Sequence, residues 1–234
     1  MIVRTVLSNG LGLQCAGSIE SERAIIVLQE AFGVNDHIRE VTERFAQHGY
    51  YAVAPELFHR DGSPEVAYDN FQDAMGAMGH LNADGFDEDL KLTAAHLSEL
   101  GFSASSIGVV GYCMGGTVSL YADTLGIVGA AVTFYGGGVA TGRFGLAPLV
   151  ELASELKAPW LGLYGDVDQG IPIEQVEALR VSAARAHVVT EIVRYSDAQH
   201  GFHCDGRAQV FNPPAAADAA QRTYEFLEAH LKTR

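Results

Sequence analysis

The chain has 234 residues, 48% of them hydrophobic and 19% charged, which suits one domain with a large core and excludes a disordered chain. Its net charge of −14 argues against nucleic acid or an anionic membrane as partner, although a local arginine can still hold a small anionic substrate. No apolar stretch is long enough to span a membrane and no basic, apolar leader is visible, and Cys15, Cys113 and Cys204 lie too far apart for a disulfide framework; free thiols in the cytoplasm are expected.

Ile2 to Leu7 and Leu11 to Cys15, joined by Asn9-Gly10, predict an N-terminal hairpin, because Asn-Gly suits a tight turn. Ala24 to Leu28 is a continuous apolar run, as in a strand covered on both faces. It ends in the loop Gln29 to Gly33, before a helix from about Asp36 to Gln47 with Asp36 as its cap. Gly49 stops that helix, and Tyr50 to Ala54 is the next strand, closed by Pro55. Residues 57–82 read as an excursion over the sheet edge and a candidate lid. Phe86, Leu90, Ala94, Leu97 and Leu100 mark a helix ended by Gly101.

Ile107 to Val110 predicts a buried strand, followed by Gly111-Tyr112-Cys113-Met114-Gly115-Gly116 and a helix under way by Thr117. Strands follow at Val128 to Phe134, Trp160 to Tyr164 and Val188 to Tyr195, with a helix from about Glu174 to Ala186 between the last two. Ala216, Ala220, Tyr224, Leu227 and Leu231 mark a final helix. Alternating strands and helices imply a mostly parallel twisted sheet of about seven or eight strands with helices on both faces, an α/β-hydrolase fold in one domain.

Strand, Gly-x-Cys-x-Gly, helix is the pattern of a nucleophile elbow, in which a side chain at either flanking glycine would strike neighbouring backbone. Cys113, Asp168 and His200 each follow a predicted strand, in the order nucleophile, acid, histidine. Histidine would take the thiol proton and return it to the leaving group, and the acid would fix its tautomer. Asp166, two residues earlier, reads as a turn residue. The main-chain N–H groups of Met114 and Ala31 are the expected oxyanion donors. Tyr68, Phe71, Tyr135 and Phe202 are candidates to line a substrate pocket, and Cys15 reads as structural. The chemistry calls for no cofactor and no metal. Two other readings use the same residues: a metal held by His200-x-x-His203 near Asp205, and a thiol that senses oxidants.

Gln29-Glu30-Ala31-Phe32-Gly33-Val34-Asn35, the Cys113 elbow, the Asp168 loop and His200-Gly201-Phe202 together resemble the dienelactone hydrolase (carboxymethylenebutenolidase) family, over roughly residues 24–231. The resemblance implies hydrolysis of an enol-lactone to an oxo-acid in aromatic catabolism, through an acyl-cysteine. It assigns Cys113, His200 and Asp168 as the triad and gives Glu30 a part in holding and activating the thiol. The family's two carboxylate-binding arginines are not matched: residues 65–80 contain no Arg or Lys, and Cys204 stands four residues after His200. Arg207 and Arg143 are the candidate replacements, and a broader esterase or lactonase acting on a less acidic substrate is the alternative. The expected partner is a small lactone or ester, with the protein a monomer or weak homo-oligomer.

Overall fold

The computed structural model describes residues 1–234. Eight strands form one sheet: β1 (Val3–Val6), β2 (Gly12–Ala16), β3 (Ala24–Leu28), β4 (Tyr51–Pro55), β5 (Ile107–Tyr112), β6 (Ala130–Phe134), β7 (Trp160–Gly165) and β8 (Thr190–Tyr195). Their spatial order is β1-β2-β4-β3-β5-β6-β7-β8. The hairpin β1-β2 and the pair β2-β4 are antiparallel, and every other pair is parallel. All residues of β3, β5, β6 and β7 are buried, which explains their unbroken apolar runs: helices cover both faces of a parallel sheet.

The chain leaves β3 and crosses through helix α1 (Asp36–Gln47) to β4 on one side. Its later return places β5 on the other side of β3, with Leu28 opposite Gly111. The order reverses there, so a crevice opens beyond the carboxyl ends of β3 and β5. Asn35, not Asp36, caps α1: its side chain accepts from the Ile38 N–H at 3.3 Å. Asp36 is the first helical residue, where its charge still opposes the positive end of the helix dipole.

Residues 57–82 contain more structure than an open lid. His59–Asp61 forms a short 3-10 turn and Phe71–Met78 forms helix α2. A buried Asp89, on α3 (Ala83–Glu99), anchors this region. It accepts from Arg60 at 2.8 Å and from Asn9 at 3.4 Å, and lies 3.1 Å from His59 Nε2. Glu56 ties the hairpin down by a paired contact with Arg4 at 2.7 Å, plus Gln14 and Ser63 at 2.8 Å. Those donors, Arg4 first, hold the Glu56 carboxyl at about 2.

The helix after the elbow, α4, spans Met114–Thr124 and therefore starts three residues before Thr117. A four-residue α5 (Leu149–Leu152), α6 (Ile173–Ala183) and α7 (Pro213–His230) complete the layers. No helix is long and apolar enough to cross a membrane.

Asp123, near the end of α4, has one carboxylate oxygen accepting the Lys157 N–H (2.6 Å) and the Ala158 N–H (3.1 Å); the other is buried without a partner. Burial pushes this acid up to about 7. A folded-state value raised above the unfolded one means the folded chain holds its proton longer, so stability falls as pH rises from about 4 through about 7. Asp123→Asn keeps the acceptor and cannot ionise. Thermal melts from pH 4 to 8 are expected to fall less steeply with pH in this variant; an unchanged slope would exclude Asp123 as its source.

Candidate active site

The Gly111 to Gly116 turn is built on close backbone approach. A Cβ on Gly111 would overlap the Gly115 carbonyl, and one on Gly115 would overlap the carbonyl of Leu28. Gly115 N–H donates to Gln29 O at 3.0 Å and Cys113 N–H to Phe134 O at 3.1 Å. These bonds fasten the turn to the ends of both neighbouring strands. Cys113 is left at φ 55°, ψ −112°, a strained conformation for a residue with a side chain. Its backbone thus presents the thiol at the crevice rather than inside α4.

His200 and Asp168 arrive from the ends of β8 and β7. His200 Nδ1 lies 2.7 Å from Asp168 Oδ2. The other Asp168 oxygen accepts the N–H groups of Gly170 (2.8 Å) and Ile171 (3.2 Å), which fixes the carboxylate. Asp166 points elsewhere, into a paired contact with Arg194 at 2.7 and 2.9 Å. Burial pulls the His200 imidazole down. The neighbouring Cys113 sulfur and the hydrogen bond that His200 donates to Asp168 outweigh that and raise it to about 10. Cys113 and His200 are therefore neighbours within hydrogen-bonding reach.

Met114 is the first residue of α4, so its N–H has no carbonyl one turn earlier to bond. The Ala31 N–H donates to no backbone carbonyl. The Gly115–Gln29 bond keeps the two segments together.

Glu30 is 1% exposed. Its Oε1 accepts from the Tyr135 hydroxyl at 3.2 Å and its Oε2 is buried without a partner. Tyr135, itself strained at φ 40°, carries its ring 5.1 Å from that of His200. This contact, between residues far apart in sequence, leaves no local signal in the chain.

The candidate pocket residues separate. Tyr68 joins the loops after β3 and after His200: its hydroxyl accepts from the buried Cys204 thiol at 3.3 Å and from Asn35 Nδ2 at 3.1 Å. Arg207 lies over the rings of Phe32 (5.3 Å) and Tyr68 (5.5 Å), with a buried Nε that has no partner. Phe202 is fully buried, its ring packed against Tyr135 and Tyr195, and presents no open surface. Phe71, the first residue of α2, is 59% exposed. Arg143 folds back on Gly137 and Gly138 and lies over Phe144 at 5.1 Å. Cys15 is buried in β2, its thiol on Leu13 O at 3.6 Å. The His200 and His203 rings do not converge: His203 packs 5.0 Å from both Tyr112 and Phe134, and burial drives it down to about 3.

The dienelactone hydrolase family model matches residues 14–231. Proteins named "Putative carboxymethylenebutenolidase" are similar along most of their length. That of Escherichia coli O157:H7 is 37% identical over 214 residues, spanning 88% of this chain and 76% of its own. That of Synechocystis sp. is 32% identical over 231 residues, 94% of each chain. A crystal structure named "Putative Dienelactone Hydrolase", from Klebsiella pneumoniae subsp. pneumoniae, superposes with a TM-score of 0.85 at 30% identity, covering 98% of this chain and 99% of that one.

Proposed function

Because the chain belongs to the dienelactone hydrolase family, a family of ester and lactone hydrolases, we propose that it opens a small lactone or ester through an acyl-cysteine at Cys113. What supports the reading is the 2.7 Å His200–Asp168 contact beside a strained Cys113 whose sulfur raises the imidazole. The Cys113 thiol gives its proton to His200, and the thiolate attacks the carbonyl carbon. The oxyanion forms against the N–H groups of Met114 and Ala31, with the positive end of α4 beside it. The tetrahedral adduct collapses, and the His200 imidazolium gives its proton to the departing alkoxide. His200, now neutral, takes a proton from water, and the hydroxide adds to the thioester. Collapse expels the thiolate and frees the carboxylic acid. Asp168 holds the tautomer and stabilises each imidazolium.

Glu30 acts before substrate arrives. Its unpartnered oxygen is the acceptor for the resting thiol proton, and a carboxylate there opposes a free thiolate and protects sulfur from oxidation. Tyr135 fixes the other oxygen, so the carboxylate stays aimed.

Arg207 is the substrate's counter-charge. Arg4, Arg39, Arg44, Arg60 and Arg194 each pair with a carboxylate, whereas Arg207 forms no ion pair and keeps a buried donor unfilled. A substrate carboxylate would fill it, as an enol-lactone acid of aromatic catabolism provides. Slow-turnover esters should leave an acyl mass on the peptide containing Cys113; labelling elsewhere would sink the acyl-cysteine reading. In matched lactones and esters, the form with a free carboxylate should be preferred, and Arg207→Met should cut that preference by about ten- to a hundredfold, the usual weight of a charged hydrogen bond. Equal kcat/KM for both forms in the parent enzyme would instead favour the broader esterase. The enzyme is expected to act in the cytoplasm, on small molecules, without a cofactor.

A further inference from the structure

A cavity of about 620 Å³ has Asp36, Glu40, Glu65, Tyr68 and Asp205 in its wall. Neither Cys113 nor His200 is in its wall. Tyr68 stands in that wall and reaches both loops that flank the reacting groups. Its ring forms cavity wall, meets the edge of Phe32 at 4.8 Å and carries the Arg207 guanidinium. Its hydroxyl accepts from Cys204 on the loop after His200 and from Asn35 at the start of α1. The segment carrying Tyr68 is held in place: Val66 N–H donates to Phe32 O at 3.0 Å, and Tyr68 lies against Gly206, where a Cβ would come 3.3 Å from its ring.

We propose that Tyr68 is the specificity-determining partition of this enzyme: it closes the reaction site off from the neighbouring cavity and so sets the upper size of the substrate. The inference rests on the hydrolase reading above. Two segments that flank the reacting groups, the loop after β3 and the loop after His200, meet at this one ring. The hydrogen bonds to Cys204 and Asn35 keep the ring across the opening, and the ring itself blocks passage. Removing the ring abolishes the partition and joins the cavity to the site.

The cavity also fixes the chemistry of what it would admit. Four carboxylates, Asp36, Glu40, Glu65 and Asp205, stand in its wall. Arg39 bridges Asp36 and Glu65, and Arg44 bridges Glu40 and Asp205, so two cations answer four anions. An extended substrate with an uncharged polar or cationic tail fits, and one with an anionic tail is repelled.

The test is a competition in one vessel between a small ester and bulky esters of the same acid, one set with a neutral hydroxylated tail and one with a carboxylate tail. The product ratio reports specificity whatever fraction of the enzyme is folded. Tyr68→Ala is expected to shift the ratio toward the bulky neutral ester by about tenfold or more, the scale of an altered apolar pocket contact, with a smaller shift for the bulky anion. Tyr68→Phe, which keeps the ring, should stay near the parent ratio. Tyr68→Val serves as a second truncation if the alanine variant does not fold. Equal ratios in the parent enzyme and both truncations would overturn the proposal, as would a Tyr68→Phe ratio equal to that of the truncations. Loss of all ester turnover on Cys113→Ala checks the underlying hydrolase reading separately, since it does not depend on the ratio.

Discussion

Cys113→Ala is expected to lower ester turnover by about four to six orders of magnitude, because the acyl intermediate has no other place to form. The protein should remain folded, since the alanine removes one sulfur from a half-buried position and leaves every elbow hydrogen bond intact. Cys113→Ser is expected to fold and to lose most activity. A hydroxyl gives up its proton far less readily than a thiol, and the imidazole raised to about 10 is adapted to stand beside a thiolate. Cys15→Ala, remote in β2, should keep turnover. Initial rates on a chromogenic ester, with active protein quantified by near-ultraviolet circular dichroism, decide it. A Cys113→Ala protein with even a tenth of the parent rate would remove the thiol from the mechanism.

Gly111→Ala should be the most damaging single methyl group in the chain for folding. The added Cβ overlaps the Gly115 carbonyl and crowds the Gly116 nitrogen. Both are backbone atoms in the first turn of α4, itself bonded to the Gln29 carbonyl, so no side chain can swing away. The first turn must unwind or β5 must shift. The expected loss is about 4 kcal/mol or more, the range of strained or overpacked sites. Gly76→Ala is the control: no atom lies within 4 Å of its Cβ, and in the middle of α2 alanine should stabilise by about 0.5–1 kcal/mol. Urea titrations of both variants measure the difference. An unfolding midpoint for Gly111→Ala equal to that of the parent would show that the elbow is looser than its contacts imply.

Much of the architecture was legible in the sequence because a parallel sheet covered on both faces writes itself as apolar runs. Ala24 to Leu28, Ile107 to Val110 and Trp160 to Tyr164 all became strands, and the glycine spacing around Cys113 became the elbow. The boundaries that moved were set by capping and turn geometry, as at Asn35 and at the start of α4. The candidate pocket was less legible. Phe71, Phe202 and Tyr68 are all aromatic residues near site segments, yet one is exposed, one is core and one joins the loops after β3 and after His200. Side-chain type reports a preference for burial, not which space the chain folds around.

The sequence by itself determined the fold class, the elbow and the family, because close backbone approach demands glycine at fixed spacing and buried strands demand apolar residues. Only the tertiary structure decided which groups meet. The sequence already favoured Asp168 over Asp166, and the structure adds that Asp166 is taken up by Arg194. Glu30 meets Tyr135, and Tyr68 meets Cys204, across long stretches of chain. Those contacts depend on β4 and β5 lying on opposite sides of β3. Strand order is a global property of the packed sheet, and the crevice it opens lies beyond the ends of the strands that carry Cys113, Asp168 and His200.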